Sequence, residues 1–181
     1  MVQLPEKCPD DSEARKAGFG TICDIAKERI RRAGEKVKGE HSNISGILDT
    51  GFRVLKLDST NMEDVFYHPK EQTTKNLFED NIKKDRGPED ILFQVMLNLG
   101  ISLSSKIEES HVGERTIYSV DSGYLIACLG EGIDQEVIEF IADRKPDFAV
   151  FQNNGFVDDA TRVNVEQIFL AKSPGTIRKV I

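Results

Sequence analysis

The chain is poor in the residues that chemistry and cross-linking need. It has three cysteines in 181 residues, Cys8, Cys23 and Cys128. Their odd number and wide spacing exclude a disulfide framework, and no Cys-x-x-Cys pair offers a metal site. The three histidines, His41, His68 and His111, stand tens of residues apart in polar settings, with no His-x-x-x-His pair. Metal binding is therefore not expected. No apolar stretch reaches the roughly 18 to 20 residues of a membrane helix, and no basic, then apolar leader opens the sequence. A cytoplasmic protein is expected. Gly-x-x-x-x-Gly-Lys-Ser/Thr and Gly-x-Ser-x-Gly are both absent, so P-loop and α/β-hydrolase chemistry lack their signatures.

What is present is a globular composition: 39% hydrophobic, 30% charged, with 24 Lys and Arg against 31 Asp and Glu, net charge -7. The acidity is uneven. Residues 1–85 hold 15 basic and 16 acidic residues, and residues 86–181 hold 9 and 15. Overall acidity opposes autonomous nucleic-acid binding. One stretch departs from it: Lys27, Arg29, Arg31, Arg32, Lys36 and Lys38 against Glu28 and Glu35 carry a local +4. Taken alone, this reads as a solvated helix face or as a phosphate-facing one.

Val2, Gln3 and Leu4 before Pro5 read as the end of a strand, short for a natural beginning, so upstream sequence is expected. Ile22, Ile25, Ala26, Ile30, Ala33 and Val37 predict a helix capped by Thr21 with Asp24 three residues on, closing at Gly39. The preceding Ala17-Gly18-Phe19-Gly20-Thr21 imitates a glycine-rich nucleotide loop but reads as a turn and N-cap. His41–Thr50 reads as a loop, Phe52–Leu57 as a strand leaving at Asp58, and Asn76–Lys84 as a short helix within a linker.

A second unit opens where Pro88 suits the first helical position and Glu89 and Asp90 favour the positive helix end. Ile91, Leu92, Val95, Met96 and Leu99 form its apolar face, and Gly100 ends it. Lys106–His111, Arg115–Asp121 and Tyr124–Leu129 predict a β-meander with turns at Gly113 and Ser122-Gly123. A helix Asp134–Arg144, an apolar strand Phe148–Phe151, a helix Asp158–Ala171 and a strand Thr176–Ile181 follow. The expectation is α/β: a partial sheet-bearing unit over 1–62, a linker over 63–85 and an α-βββ-α-β-α-β domain over 86–181. Glu108-Glu109 and Asp158-Asp159 read as solvated or helix-capping carboxylates, and Tyr118 with Tyr124 as a cross-strand packing pair. No constellation of nucleophile, base and orienting group is visible.

Several phrases, taken in order, resemble the C-terminal portion of the modification subunit of type III restriction-modification systems, β-class adenine-specific DNA methyltransferases. They are Val2–Glu6, Ile22–Lys36 with its Lys-Glu-Arg-Ile-Arg-Arg-Ala-Gly core, Gly51–Ser59, Gly87–Leu97, Leu99–Ile101, Ile107–Glu109, Phe156–Ala160 and Asn164–Ile168. The family's Asp-Pro-Pro-Tyr clamp and Phe-x-Gly-x-Gly loop are absent from this sequence. The resemblance therefore implies a portion starting after the cofactor loop, completing a methyltransferase-type sheet before the small α/β domain, and inactive alone. It implies S-adenosylmethionine as the cofactor of the intact enzyme, with Gln3 or Glu6 facing its ribose and Asp58 near its adenine, and no catalytic residue in this chain. Arg29, Arg31 and Arg32 become the candidate DNA contacts. The implied partners are the N-terminal methyltransferase portion, a second modification subunit, the restriction subunit and duplex DNA. The alternative is a non-catalytic protein-interaction module of the same complex.

Overall fold

A computed structural model of the chain describes residues 2–41, 48–63 and 82–181. It divides into two compact units, Met1–Leu55 and Lys56–Ile181. The division falls before the expected end of the first unit at residue 62, and residues 58–62 are tied to Ile82–Arg86 and to Asp90 and Gln94 of the second unit.

In the first unit a short helix α1 (Glu13–Lys16) precedes the long helix α2 (Ile22–Glu40). Gly18, at φ 92°, takes the left-handed turn out of α1 that a side chain would resist. Thr21 then caps α2: its Oγ1 accepts from the Asp24 N–H at 3.3 Å, while the Asp24 carboxylate accepts from the Thr21 N–H at 3.0 Å. The glycine-bearing segment is thus a turn and a capping box. Two expected strands are not formed. Residues 2–6 and 51–57 take no regular secondary structure and have no ladder partners, and Val2, Leu4, Val54, Leu55 and Leu57 stay exposed. Alternating apolar residues make a strand only beside a neighbour that takes their main-chain hydrogen bonds. Instead, only Lys7 bridges to Thr21, and the Glu6 carbonyl accepts from Ile22 N–H at 3.0 Å. Of the expected helix Asn76–Lys84, residues 76–81 lie outside the described residues, and Ile82–Lys84 form a bridge and a turn.

The second unit follows the expected order. Its elements are α3 (Pro88–Asn98), β1 (Ile107–Val112), β2 (Arg115–Val120), β3 (Leu125–Cys128), α4 (Gln135–Asp143), β4 (Phe148–Phe151), α5 (Asp159–Lys172) and β5 (Ile177–Val180). The sheet order is β1-β2-β3-β4-β5, antiparallel across the meander and parallel from β3 onward. Parallel neighbours require a crossover, and α4 and α5 supply the two.

Alternation along the strands builds two cores. Leu125 and Ala127, with Tyr118, Val120 and Val150, pack under Ile91, Leu92, Val95 and Met96 of α3. Ile126 and Cys128, with Ile117, Ala149 and Phe151, pack under Val137, Ile138 and Ile141 of α4 and Val165 and Phe169 of α5. Every residue of β3 is buried. Phe151 touches Phe156 and Phe169 at ring distances of 5.8 and 6.1 Å. Tyr124 does not pair with Tyr118. It sits in the turn before β3, edge-on to Phe148 at 5.4 Å, while Tyr118 stands opposite Ala127.

Gly155, in the single 3-10 turn after β4, lies against the loop that enters α4. A Cβ there would overlap the Gly130 carbonyl oxygen and the Ile133 Cδ1. Gly155→Ala should therefore lower unfolding stability by about 1–3 kcal/mol, measured by urea denaturation. Gly175→Ala, with open space around its Cβ, should leave it nearly unchanged.

Candidate nucleic-acid interface and cofactor positions

On α2 the three candidate arginines are exposed but not equivalent. Arg32 Nε donates to Glu28 Oε1 at 2.7 Å, and Arg31 Nη1 reaches the other oxygen of the same carboxylate at 3.8 Å. Arg29 has no partner among the described residues. Helical spacing explains the pattern. Arg29, Arg32 and Lys36 share one row at i, i+3 and i+7, and Lys27, Arg31 and Lys38 share another. Asp24, Glu28 and Glu35 run between them and pair with both: Lys27 with Asp24 at 2.7 Å, Lys38 with Glu35 at 3.6 Å. Glu28 and Glu35 are already within the local +4; adding Asp24 and Glu40, which pair with Lys27 and Lys36, leaves six basic against four acidic residues over 24–40, a net +2. Arg29 and Lys36, the latter 3.7 Å from Glu40, remain the most available cations of their row.

Alongside this basic row runs an uncovered apolar stripe. Ile22, Ile30 and Val37 are all more than a third exposed, and α2 has no buried residue. Among the described residues of the first unit, Cys8 is the one buried apolar side chain.

The expected cofactor residues lie in two different units. Gln3 and Glu6 are exposed in the irregular N-terminal segment, not at a strand end. Gln3 Nε2 donates to the Leu4 carbonyl at 3.3 Å, and the Glu6 N–H donates to the same oxygen at 2.9 Å. Asp58 belongs to the second unit. Its carboxylate accepts from Ser59 N–H at 2.7 Å and from Arg86 Nη1 at 3.0 Å, and these contacts hold it below the usual carboxylate range. The contacts continue a strap over α3. Asn61 N–H donates to Gln94 Oε1 at 3.0 Å, and Asn61 Nδ2 to the Asp90 carbonyl at 2.8 Å. Sequence reading had no signal for the Asp58–Arg86 pair, whose members come from separate segments of no shared periodicity.

Other polar clusters in the second unit are structural. Asp134 caps α4 through Val137 N–H at 3.0 Å and pairs with Arg115 at 3.1 Å. Asp158 caps α5 through Thr161 N–H at 2.6 Å, which lowers its pKa. The buried Ser173 hydroxyl meets Thr176 Oγ1 at 2.7 Å, and Thr176 in turn donates to the Pro146 carbonyl. Cys128 is inert as a nucleophile, because burial pushes its thiol up to about 11. Among the described residues, one open cleft of about 330 Å³ lies around Lys145 and Thr176 and another of about 480 Å³ around Asn153, Asp158 and Arg162. Neither gathers a nucleophile, a base and an orienting group. Among the described residues no group of three His, Cys, Asp or Glu side chains could hold a metal ion. No described helix is long and apolar enough to cross a membrane.

No protein-family model matches the chain, and no curated protein matches it.

Two outcomes test these assignments. Hydrogen bonds from Lys27 and Thr21 lower the Asp24 pKa to about 2 from 3.8. The carboxylate form caps α2, so its contribution is complete above about pH 4 and lost as pH falls through about 2. Protection of the Ile22–Ile25 amides, taken relative to intrinsic exchange at each pH, should fall across that interval, and Asp24→Ala should remove that fall. Asp58→Ala should release the strap, raising exchange of the Asn61 amide by roughly an order of magnitude with little change at β3.

Proposed function

We propose that this chain is the C-terminal part of a type III restriction-modification adenine-N6 DNA methyltransferase, and that it is inactive on its own. The carrying observation is the sequence resemblance, which runs in order from Val2 to Ile168 and includes the basic Lys27–Gly34 phrase on α2. Methyl transfer needs a bound donor and a flipped adenine held against it. The two motifs that supply these in the family do not occur in this chain. Its contribution is therefore structural: the first unit completes the methyltransferase half and the second is an appended domain.

The first unit supports this reading. A 19-residue helix with no buried side chain and an exposed apolar stripe gains little from packing within its own unit, and helices in proteins draw most of their stability from such packing. The N-terminal methyltransferase portion is the expected cover, with S-adenosylmethionine bound mainly by that portion. Gln3, Glu6 and Asp58 remain candidate cofactor neighbours in the assembled enzyme. Duplex DNA, a second modification subunit and the restriction subunit are the remaining partners, and the compartment is the cytoplasm.

The second unit favours one alternative, a non-catalytic module that docks onto the complex. It has a core on both faces of its sheet and gathers no catalytic constellation among its described residues. Such a module would capture the restriction subunit without donor or DNA.

The deciding experiment is transfer of labelled methyl from S-adenosylmethionine to adenine in duplex DNA. The mixture with the N-terminal portion should be active and the chain alone silent. Activity of the chain alone overturns the proposal, and inactivity of a folded mixture favours the module. In the intact enzyme, Arg29→Glu should weaken duplex affinity and reduce the salt slope by about one. Arg31→Glu should do less, because Glu28 already shares that side chain's charge.

A further inference from the structure

The sheet of the second unit ends in two strands of opposite charge. β1 carries Glu108 and Glu109 at one edge, and β5 carries Arg178 and Lys179 at the other. Neither edge is paired among the described residues. β2 is antiparallel to both β1 and β3, and β3, β4 and β5 are mutually parallel, so the two edge strands run in the same direction. A second copy displaced along the sheet would set β1 beside β5 as a parallel pair.

Three independent features agree on how the strands would meet. The first is the face each residue occupies. Ile107 stands opposite Val120, and Ile177 opposite Phe148, both on the side covered by α3. Ile107 and Glu109 therefore share a face with Ile177 and Lys179, whereas Glu108 and Ser110 share the other with Arg178 and Val180. The second is hydrogen-bond phase. Ile177 and Ile181 donate inward to Asp147 and Phe151, which turns the main-chain groups of Arg178 and Val180 outward. The Lys106 carbonyl accepts from Asp121, so residues 107, 109 and 111 turn outward from β1. In a parallel pair, an outward residue sits opposite the residue lying between its two hydrogen-bond partners. That places Arg178 opposite Glu108 and Val180 opposite Ser110.

The third is charge. The same register sets Ile177 against Ile107 and Lys179 against Glu109. Lys179 and Glu109 are exposed, and neither has a partner among the described residues. Arg178 and Glu108 are already engaged with Glu166 and Lys106, so Lys179 with Glu109 is the new pair. Shifting by two residues, the next register that the hydrogen-bond phase allows, would place Lys179 against His111 and lose it. Joining two β5 edges or two β1 edges would set like charges face to face, which disfavours a closed two-fold dimer. Edge charges ordinarily keep sheets apart. Here their opposite signs make the contact selective.

We propose that the chain self-associates head to tail through this sheet, β5 of one copy pairing in parallel with β1 of the next in the register Ile177–Ile107 to Val180–Ser110. The inference rests on the second unit alone and does not depend on the methyltransferase reading. The strands are short, so the association is weak and rises with concentration. Each step leaves a free β1 and a free β5, so it continues beyond two copies unless it closes.

Sedimentation velocity of the whole chain tests it, from about 5 to about 500 µM protein and about 50 to about 500 mM salt. The average mass should grow with concentration and fall with salt. Lys179→Glu or Glu109→Lys alone should weaken association about tenfold. The double reversal in one chain restores opposite signs across the joint and should restore association. Val180→Pro removes an outward N–H without touching the ladder to β4. It should abolish association while leaving the melting temperature in place; if it unfolds the unit, the charge reversals decide. A monomer at every concentration overturns the proposal. So does association that ignores the single reversals, or that the double reversal fails to recover.

Discussion

The second unit depends on one strand that has no wet side. Leu125–Cys128 is buried at every residue, with its odd-numbered side chains under α3 and its even-numbered ones under α4 and α5. With both faces committed, a slip of one residue would exchange the two cores wholesale. Everything else in the unit follows from fixing that register. The meander brings β1 and β2 to one side, and the two crossovers bring β4 and β5 to the other. Polar groups buried near the crossovers, such as Ser173 and Thr176, satisfy each other instead of facing apolar neighbours unpaired.

The first unit obeys the opposite regime. Its organising interaction is local, the reciprocal cap between Thr21 and Asp24, and its longest helix is held by ion pairs three or four residues apart. Such pairs contribute little individually at an exposed surface. What remains is a helix whose apolar stripe and basic row lie side by side and unused within the unit. A surface of that composition suits a partner offering both apolar area and negative charge.

Sequence pattern carried the second unit almost completely. Pro88 after Gly87, the meander turns at Gly113 and Gly123, Asp134 and Asp158 as caps and Pro146 as a stop are local signals, and each acts where its chemistry requires. The strand expected at Phe148–Phe151 was legible because a strand covered on both faces reads as an unbroken apolar run. The strands read at Val2–Leu4 and Phe52–Leu57 failed for a reason that local pattern does not contain: a strand needs a neighbour, and neither has one among the described residues. The basic charge of α2 was legible from its composition, whereas the division of its cations into two rows and the ion pairs of Arg31 and Arg32 with Glu28 emerge only once the sequence is wound on a helix. Asp58 was legible as a polar exit, but its partner Arg86 and the strap across α3 depend on tertiary placement.

The environments of the three thiols differ enough to make the chain selectively addressable. Cys8 is enclosed, and Cys128 lies in the core with its proton firmly held, whereas Cys23 is partly open on the first turn of α2, its sulfur 3.6 Å from the Leu4 carbonyl. A thiol-directed fluorophore would therefore attach to the native sequence at one place, beside the apolar stripe of α2. Without any substitution, the chain carries its own optical reporter for whatever comes to cover that helix.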